Sequence, residues 1–526
     1  MYLTTRNSTY SRWASEAEIR NSLHEAKLNG GKQRHGGIPL FASSGSAYVD
    51  PTDTHSLVIG STGSKKTRLI GMPALLLYAG AGESFIATDP KAELYDRTLP
   101  LLRERGYRVV VLNLRDPLRS DGWNPLAVPH RLYHAGQRDR AGELVIDMAS
   151  CIMKEDCGGD PYWPNSAADM LSGLTLLLFE CGGKDEIHFK SLHNLRIQSF
   201  GNSKNASNHD TPFIQDHFLR HMKTASFARS LLSGTAEVCD HTRSCILSVF
   251  DQALQPFFSN DKLIDMLSGS DLDMSAIGKE KTAVFLIIPD ENTLYHRLVS
   301  VFVKQCYTEL ILEAHRQPSK RLPRRVNFLL DEFSALPQIS DFPAMITASR
   351  SRNIRFNLIV QSLRQLQARY GGHVDTIKGN CENWVFLHSR ELELLHEIVE
   401  LCGKRNSEEN LVSVSMLQTL DKEKGEALVM HKRLHPFIAC LPDIDRYPGI
   451  ALNGIRAWYP RNTRKAKKVF DFERFCRGNS EFFISKLFSG KTLDEIRNTS
   501  REEQERYYLA DDDATFEPVF TPGMEG

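Results

Sequence analysis

The sequence predicts an α/β protein with a mostly parallel sheet that is interrupted by an all-helical segment. Short apolar runs alternate with helical stretches at residues 56–112 and again at 282–387, and this alternation is typical of a parallel sheet with crossover helices. Between them, residues 127–276 show long helical periodicity. A glycine-rich loop directly after the first apolar run indicates that the sheet carries a phosphate site.

Length and composition exclude several classes of protein. A chain of 526 residues exceeds what one core usually holds, so two or more domains are expected. Lys plus Arg and Asp plus Glu are both 65, so nucleic-acid contact would need a local basic patch. The N-terminus is polar, and the apolar stretches fall far short of the ~20 residues of a spanning helix. The ten cysteines contain no CxxC pair, which favours reduced thiols.

The predicted strands and helices divide the chain into five segments. An N-terminal arm contains a short helix at 15–26, where Ser15 and Glu18 fit a capping box. Predicted strands at 56–60, 84–88 and 107–112 precede the helical insertion, and those at 282–289, 326–330, 354–361 and 384–387 follow it. The sheet is therefore assembled from both sides of the insertion. The predicted segments are 1–46 (arm), 47–126 (α/β domain, first part), 127–276 (all-α insertion), 277–468 (α/β domain, second part) and 469–526 (charged tail).

The strongest motif is the loop at residues 60–67, which reads GSTGSKKT. In the usual pattern GxxxxGK[ST], successive backbone N–H groups and a helix N-terminus bind phosphate. Lys66 would then reach the β and γ phosphates, and the Thr67 hydroxyl would bind magnesium. A chance Gly/Ser surface turn is the alternative, but the strand, loop and helix context argues against it. The candidate nucleotide-binding residues are Gly60, Ser61, Thr62, Gly63, Ser64, Lys65, Lys66 and Thr67.

Lys65 departs from this pattern because it stands where glycine is expected. A side chain is acceptable there only if the backbone torsions are ordinary and Cβ points away from the phosphates. Two consequences stay open: weaker nucleotide binding, or a second cation beside the phosphates.

A second candidate element is the apolar strand at 326–330, which is followed by Asp331 and Glu332. A carboxylate at the end of a buried strand can hold magnesium through water, and its neighbour can orient and deprotonate the attacking water. Asp331 suits the first role and Glu332 the second. Two acids after a strand are weak evidence alone, but together with the loop they are strong evidence.

Two further polar positions lie near these acids in the sequence. Gln361 ends the next strand, where an amide would sense the γ-phosphate; the alternative is a glutamine that faces solvent. Arg350 and Arg352 lie between the acids and that strand. An arginine there would reach a neighbouring subunit's nucleotide as a trans finger. A solvated basic helix end is the alternative for each arginine.

Taken together, the motifs resemble those of the type IV secretion coupling proteins of the TraG/TraD kind, relatives of the FtsK and HerA translocases. The resemblance runs from about residue 37 to 447 in the family's order. It rests on GSTGSKKT, TDPKAELY (88–95), WNPL (123–126), DPYW (160–163), LLDEFSALPQI (329–339) and IVQSLRQLQARYG (359–371).

The resemblance implies a RecA-like P-loop domain interrupted by an all-α domain, working as a ring homo-hexamer with ATP and Mg²⁺ between subunits. It implies the task of handing relaxase-bound single-stranded DNA or effector proteins to a type IV secretion channel. By matching motifs, Lys66 and Thr67 take the phosphate and magnesium roles, Asp331 and Glu332 the hydrolytic roles. Gln361 takes the sensor role and Arg350 the finger role, and Asp89 and Lys91 match a structural or nucleotide-proximal motif.

Two departures from the family leave alternatives open. Its members usually carry N-terminal membrane helices, and none is evident here; we therefore expect a cytoplasmic protein at the inner face of the membrane, recruited by a membrane-anchoring partner, unless that segment was lost. Lys65 leaves ATP turnover open. We favour a coupling ATPase, because the acids and Gln361 remain. The alternatives are a non-hydrolysing substrate receptor and a soluble HerA/FtsK-like DNA translocase.

Direct DNA contact is weakly indicated. The basic run Arg461, Arg464, Lys465, Lys467 and Lys468 is either a phosphate-binding patch or a solvated face.

Overall fold

The computed structural model describes residues 10–28, 31–154, 160–201, 211–215, 219, 226–289, 294–447, 459–464 and 468–477. Within these residues the chain forms two compact units. The α/β unit comprises the residues up to Asp121 and those from Asp271 to Asn462. The helical unit comprises Gly122 to Ser270 and the residues from Thr463 onward.

The helices and strands of the described chain are numbered in chain order. The helices are α1 (Glu16–Ser22), α2 (Met72–Ala81), α3 (Glu93–Glu104), α4 (Ala127–His134), α5 (Arg138–Met153), α6 (Tyr162–Cys181), α7 (Phe189–Ser199), α8 (Phe227–Ala236), α9 (Asp240–Phe258), α10 (Asp261–Met266), α11 (Leu294–Arg316), α12 (Phe342–Ser349), α13 (Leu363–Tyr370), α14 (Val374–Asn380), α15 (Leu392–Cys402) and α16 (Val414–Gln418). The strands are β1 (His24–Lys27), β2 (Phe41–Ser43), β3 (Ser46–Val49), β4 (Ser56–Gly60), β5 (Ser84–Asp89), β6 (Arg108–Asn113), β7 (Thr282–Ile287), β8 (Val326–Leu330), β9 (Ile354–Val360), β10 (Asn383–His388), β11 (Glu426–His431) and β12 (Phe437–Cys440).

The large sheet of the α/β unit has the strand order β12-β11-β10-β4-β9-β8-β5-β7-β6 among the described residues. Neighbours from β10 to β6 pair in parallel. β11 and β12 add an antiparallel edge. Strands β4, β5, β8 and β9 are buried along their whole length, as expected for parallel strands covered on both faces. The predicted α/β fold with a mostly parallel sheet is confirmed.

The strand order places the predicted site elements side by side. β9 lies between β4 and β8, and β5 lies on the far side of β8. Because these strands are parallel, their carboxyl ends meet at one edge of the sheet, where α/β proteins bind ligands. The loop after β4 and the acids after β8 therefore share this edge.

The N-terminal part differs from the prediction. Ser15 and Glu18 do form the predicted capping box. The helix, however, ends at Ser22, not near 26, because residues 24–27 pair antiparallel with β3 as strand β1. β3 also pairs with β2, which completes a three-stranded sheet that the sequence analysis missed.

The helical unit is built around α6, which packs against α5, α8 and α9. Its predicted apolar face is buried, with Leu171, Leu174 and Leu178 at 0% exposure. In the described part of the chain, we find no helix with the length and hydropathy needed to span a bilayer.

The boundary placed at 468 differs from the observed division. Asn194 donates from Nδ2 to the Phe470 carbonyl at 2.7 Å, and Phe470 and Phe472 are buried. Apolar side chains thus draw this stretch onto the helical unit. The predicted tail beyond residue 477 lies outside the described residues.

Candidate functional site

The loop after β4 needs glycine at two positions for different reasons. At Gly60, an added Cβ would clash with the Ser64 hydroxyl and would lie 3.1 Å from Cγ of Lys66. At Gly63 there is open space, but φ is +80°, a conformation that side chains disfavour. Residues Thr67–Gly71 then form one π-helical turn before α2. The glycines at 60 and 63 thus allow the tight turn of the loop that leads into the helix.

Lys65 has a backbone conformation that favours glycine. Its φ is +62°, in the left-handed region, which costs a residue with a side chain roughly 1–2 kcal/mol. The expectation that a side chain here requires ordinary torsions is therefore wrong. The Lys65 ammonium donates to a carboxylate oxygen of Glu423 at 2.6 Å. The backbone at position 65 thus keeps a left-handed conformation, and the added ammonium group is paired with Glu423.

Lys66 is the buried cation of the loop. Its ammonium donates to the Gly60 carbonyl at 2.6 Å and to the Ser61 carbonyl at 3.3 Å. Burial lowers the pKa of Lys66, the charges of Asp331 and Glu332 oppose that shift, and Lys91 adds to it. The lysine and both acids after β8 thus share one electrostatic environment.

The acids after β8 occupy different surroundings. Asp331 is 9% exposed, and burial, reinforced by the charge of Glu332 and opposed by Lys66, raises its pKa to about 6. Its side chain accepts a hydrogen bond from the Glu332 N–H at 3.0 Å, and its carbonyl accepts one from the Thr88 hydroxyl at 2.8 Å. Glu332 turns away from the strand with φ +56°. The two carboxylates therefore face different partners.

Gln361 links the two halves of the site. Its side-chain amide donates to a carboxylate oxygen of Glu332, and its carbonyl oxygen accepts from the Thr62 hydroxyl at 2.9 Å. Thr62 belongs to the loop after β4, Gln361 follows β9 and Glu332 follows β8. The structure thus places Gln361 in a hydrogen-bond chain between loop and acid, where a glutamine that merely faces solvent would have neither partner.

Arg350 is not brought together with these residues. It begins a short turn before β9, at the opposite end of that strand from Gln361 and about 20 Å away along it. Its guanidinium forms an ion pair with Glu382 at 2.6 Å, and both side chains are partly exposed. Arg352, in the same turn, donates to the Lys320 carbonyl at 3.4 Å.

Asp89 lies at the end of β5, beside the acids of β8. It is almost fully buried, and its carboxylate accepts a hydrogen bond from the Tyr95 N–H at 2.9 Å in the first turn of α3. Burial raises the pKa of Asp89 to about 7, and the Asp331 charge contributes to the shift. These contacts fit a structural role for Asp89, whereas Lys91 is exposed.

Two residues that contact the loop, His388 and Glu423, are not among the predicted site residues. His388, which ends β10, lies with Nδ1 2.8 Å from the Ser61 hydroxyl, and its carbonyl accepts from the Ser61 N–H at 2.9 Å. His388 could have been recognised from the sequence as a polar residue directly after the predicted strand at 384–387. Glu423 lies 358 residues from Lys65, and no local pattern points to their contact.

The loop has the properties of a phosphate site. The Ser64 hydroxyl is buried and has no hydrogen-bond partner among the described residues. Open space lies over Gly63, and the buried ammonium of Lys66 faces the loop's own carbonyls. A phosphate would supply acceptors to Ser64 and Lys66, and the Thr67 hydroxyl and the Asp331 carboxylate have the oxygen chemistry that magnesium prefers.

The basic run of the sequence is only partly described. Lys465 and Lys467 lie outside the described residues. The guanidinium of Arg464 donates to the Gly269 carbonyl at 3.3 Å within the helical unit.

Comparison with known families gives a match over most of the chain. Residues 12–427 match the family model described as "Type IV secretory system Conjugative DNA transfer". Among curated proteins, the chain is 23% identical over 372 residues to Protein VirD4 of Agrobacterium fabrum, covering 68% of this chain and 51% of VirD4. It is also 23% identical over 391 residues to the probable conjugal transfer protein TraG of Sinorhizobium fredii, covering 72% and 56%. The chain thus spans about half the length of these relatives.

Solved structures agree on the fold. The chain superposes on the plasmid coupling protein TrwB in complex with a non-hydrolysable ATP analogue with a TM-score of 0.60, at 15% identity, covering 86% of this chain and 96% of TrwB. TrwB in complex with ADP and Mg²⁺ gives 0.59 at 14% identity, with 86% and 97% coverage. The α/β unit therefore has the RecA-like P-loop fold of TrwB.

Proposed function

The chain belongs to the type IV secretory system conjugative DNA transfer family, and from this premise we propose that it is a coupling ATPase. It recruits relaxase-bound single-stranded DNA or effector proteins and feeds them to a type IV secretion channel with the energy of ATP hydrolysis. The description of the family and the name of the TraG relative, a probable conjugal transfer protein, support DNA as a transferred substrate. The TrwB complexes with an ATP analogue and with ADP and Mg²⁺ support the cofactors.

The loop residues hold the triphosphate in this proposal. The backbone of residues 60–67, at the start of a helix, donates to phosphate oxygens, and the Lys66 ammonium exchanges its contacts with the Gly60 and Ser61 carbonyls for contacts with phosphate. Because Lys66 is desolvated, its attraction to phosphate is stronger than that of a surface lysine. Thr67 and Asp331 would hold a magnesium ion, which would supply positive charge to neutralise the charge that develops on the phosphates.

One observation carries the proposal of hydrolysis: the hydrogen-bond chain from Thr62 through Gln361 to Glu332. Glu332 is the base that accepts a proton from the attacking water, and Gln361 holds its carboxylate in position. Because Gln361 also holds Thr62, a change in the loop is transmitted to the base. A chain that had lost hydrolysis would be under no constraint to keep this connection.

Arg350 acts outside its own subunit in this proposal. Its place at the far end of β9 is unsuited to the nucleotide of the same chain. In a ring homo-hexamer it would reach the neighbouring subunit's nucleotide, after leaving Glu382. We propose that the assembly works at the inner face of the membrane with a membrane-anchoring partner.

The proposal is tested by steady-state ATP hydrolysis with and without single-stranded DNA. Glu332→Gln should lower turnover at least 100-fold, because the base is lost, while nucleotide affinity changes little. Lys66→Ala should abolish nucleotide binding as well as turnover. Glu393→Gln, an exposed charge change on α15, should behave as wild type. Undiminished turnover in Glu332→Gln would exclude the assigned chemistry.

A second function, a substrate receptor that does not hydrolyse ATP, is favoured by the lysine at position 65. A left-handed lysine bound to Glu423 fits a loop that has been adjusted away from rapid turnover. Lys65→Gly separates the two functions. Turnover in the wild type supports the ATPase, whereas turnover only in Lys65→Gly supports the receptor.

A further inference from the structure

The ion pair between Lys65 and Glu423 joins the phosphate loop to a turn at residues 421–425, directly before β11. β11 is antiparallel to β10, so this turn lies at the sheet edge that also carries the loop. The side chain of Lys65 is 23% exposed and that of Glu423 is 69% exposed. The side chain of Lys65 is thus largely buried at the loop, whereas that of Glu423 lies mostly in solvent.

The turn that carries Glu423 is well ordered by its own hydrogen bonds. The Asp421 carboxylate accepts from the N–H groups of Glu423 at 2.9 Å and Lys424 at 3.3 Å. The Asp421 N–H in turn donates to Glu426 at 2.9 Å, and the Gly425 carbonyl accepts from the Leu441 N–H at 2.8 Å. The backbone on both sides of Glu423 is therefore anchored, and from this turn the Glu423 carboxylate reaches the Lys65 ammonium.

Lys65 is equally constrained from its own side. It is held in the left-handed region between Gly63 and Lys66, and its carbonyl accepts from the Leu69 N–H at 2.8 Å at the helix start. Strain of this kind persists where the surrounding structure imposes it, and it is concentrated at ligand sites. Because Lys65 is part of the loop itself, phosphates bound by the loop's backbone would lie within the reach of its long, flexible side chain.

We propose that Lys65 is a second phosphate-binding cation and that Glu423 controls its availability, so that the 421–425 turn regulates nucleotide affinity. The inference rests on the proposed nucleotide site. A bound triphosphate would compete with Glu423 for the Lys65 ammonium, because the negative charge of the phosphates is more concentrated than that of one carboxylate. An exposed ion pair is weak enough for this exchange to occur readily. Glu423 thereby lowers the affinity of the loop for the triphosphate.

The test measures binding of a fluorescent non-hydrolysable ATP analogue with Mg²⁺, so that the readout is independent of turnover. The variants are Glu423→Gln, Lys65→Gln and the double variant. Glu423→Gln should bind about two- to fivefold more tightly, because the competing carboxylate is gone. Lys65→Gln should bind about tenfold more weakly, because a charge-assisted contact is lost. In the double variant the effect of Glu423→Gln should vanish.

The matched control is Glu408→Gln, which removes one exposed negative charge elsewhere in the α/β unit and should leave affinity unchanged. Wild-type affinity in both single variants would overturn the inference and leave the proposed function standing. Weaker binding in Glu423→Gln would also overturn it, because the carboxylate would then support the nucleotide. Absence of binding in the wild type and in every variant would instead refute the proposed function, and the inference with it.

Discussion

At the scale of single residues, His55 shows how backbone groups define the protonation state of a side chain. It is fully buried directly before β4. Its Nε2 lies 2.8 Å from the Ile346 carbonyl, and its Nδ1 accepts from the Phe356 N–H at 3.0 Å. A proton on Nδ1 would face that N–H, so the ring is neutral with its proton on Nε2. Burial lowers the pKa of His55 to about 4.

This histidine should make stability depend on pH. Between pH 4 and 6.5 the unfolded chain binds a proton that the folded chain excludes, so the contribution of His55 falls as the pH is lowered through this window, by about 3 kcal/mol in total. The difference in thermal unfolding midpoint between wild type and His55→Asn should therefore shrink from pH 7 to pH 4.5. A difference that stays constant with pH would contradict this account.

Lys65 shows that the backbone preference of a single residue does not determine its conformation within the loop. A positive φ is usually assigned to glycine, and the sequence therefore suggested that a lysine needs ordinary torsions. The surrounding loop instead imposes +62° on it, because Gly60, Lys66 and the π turn already determine the path of the chain. Torsions within a tightly closed loop are set by the whole loop, not by the residue.

At the scale of elements, a buried charged cluster holds the amino ends of three neighbouring strands in register. Glu83, directly before β5, pairs with Arg355 of β9 at 2.8 Å and with Arg325, directly before β8, at 3.1 Å. It also accepts from the Asn327 amide of β8 at 2.8 Å. The cluster lies at the end of the sheet opposite the loop, so it aligns the strands whose other ends carry the acids and Gln361.

Removing one member of this cluster should be costly. Arg355→Met should lower the free energy of unfolding by about 3–5 kcal/mol, because Glu83 is left as a buried charge with fewer partners. Arg355→Met with Glu83→Gln should cost clearly less than the sum of the single changes. Denaturant unfolding of the three variants measures this coupling, and simple additivity would show that the charges do not interact.

The same cluster should also make stability depend on pH, here through a carboxylate that is stabilised by neighbouring arginines. Arg355 and Arg325 lower the pKa of Glu83 in spite of its burial. The contribution of Glu83 to stability is therefore fully present above the pKa that Glu83 has in the unfolded chain. This contribution is lost as the pH falls through the lower pKa that Glu83 has in the folded chain.

At the scale of the whole molecule, the position of Arg350 bears on assembly. The arginine and the phosphate loop lie at opposite ends of the parallel strands. A role for Arg350 in hydrolysis consequently requires contact between subunits.

Mixing experiments test this role. Arg350→Ala should keep nucleotide affinity but lower turnover about 1000-fold, as expected for loss of an arginine finger. Mixed with Glu332→Gln subunits, which keep Arg350, it should regain part of the turnover, because an intact base and an intact finger meet at mixed interfaces. Arg352→Ala, in the same turn, is the control and should remain active. Mixtures no more active than their components would exclude the trans role.

Local sequence patterns were sufficient to predict the elements that depend on neighbouring residues. Apolar runs of strand length predicted the parallel strands, helical periodicity predicted α6, and the GSTGSKKT loop and the Asp331–Glu332 pair marked the sheet edge where strand ends converge. These features can be predicted from the sequence because the periodicity of apolar residues and the choice of turn residues depend on only a few neighbouring positions.

Contacts between distant parts of the chain became evident from the folded structure. It paired residues 24–27 with β3, placed Gln361 between Thr62 and Glu332, set His388 against Ser61 and brought Glu423 to Lys65. It also packed Phe470 and Phe472 on the helical unit. The physical reason is that such contacts depend on strand order and packing, which bring together groups up to hundreds of residues apart, and no local pattern in one sequence encodes that order.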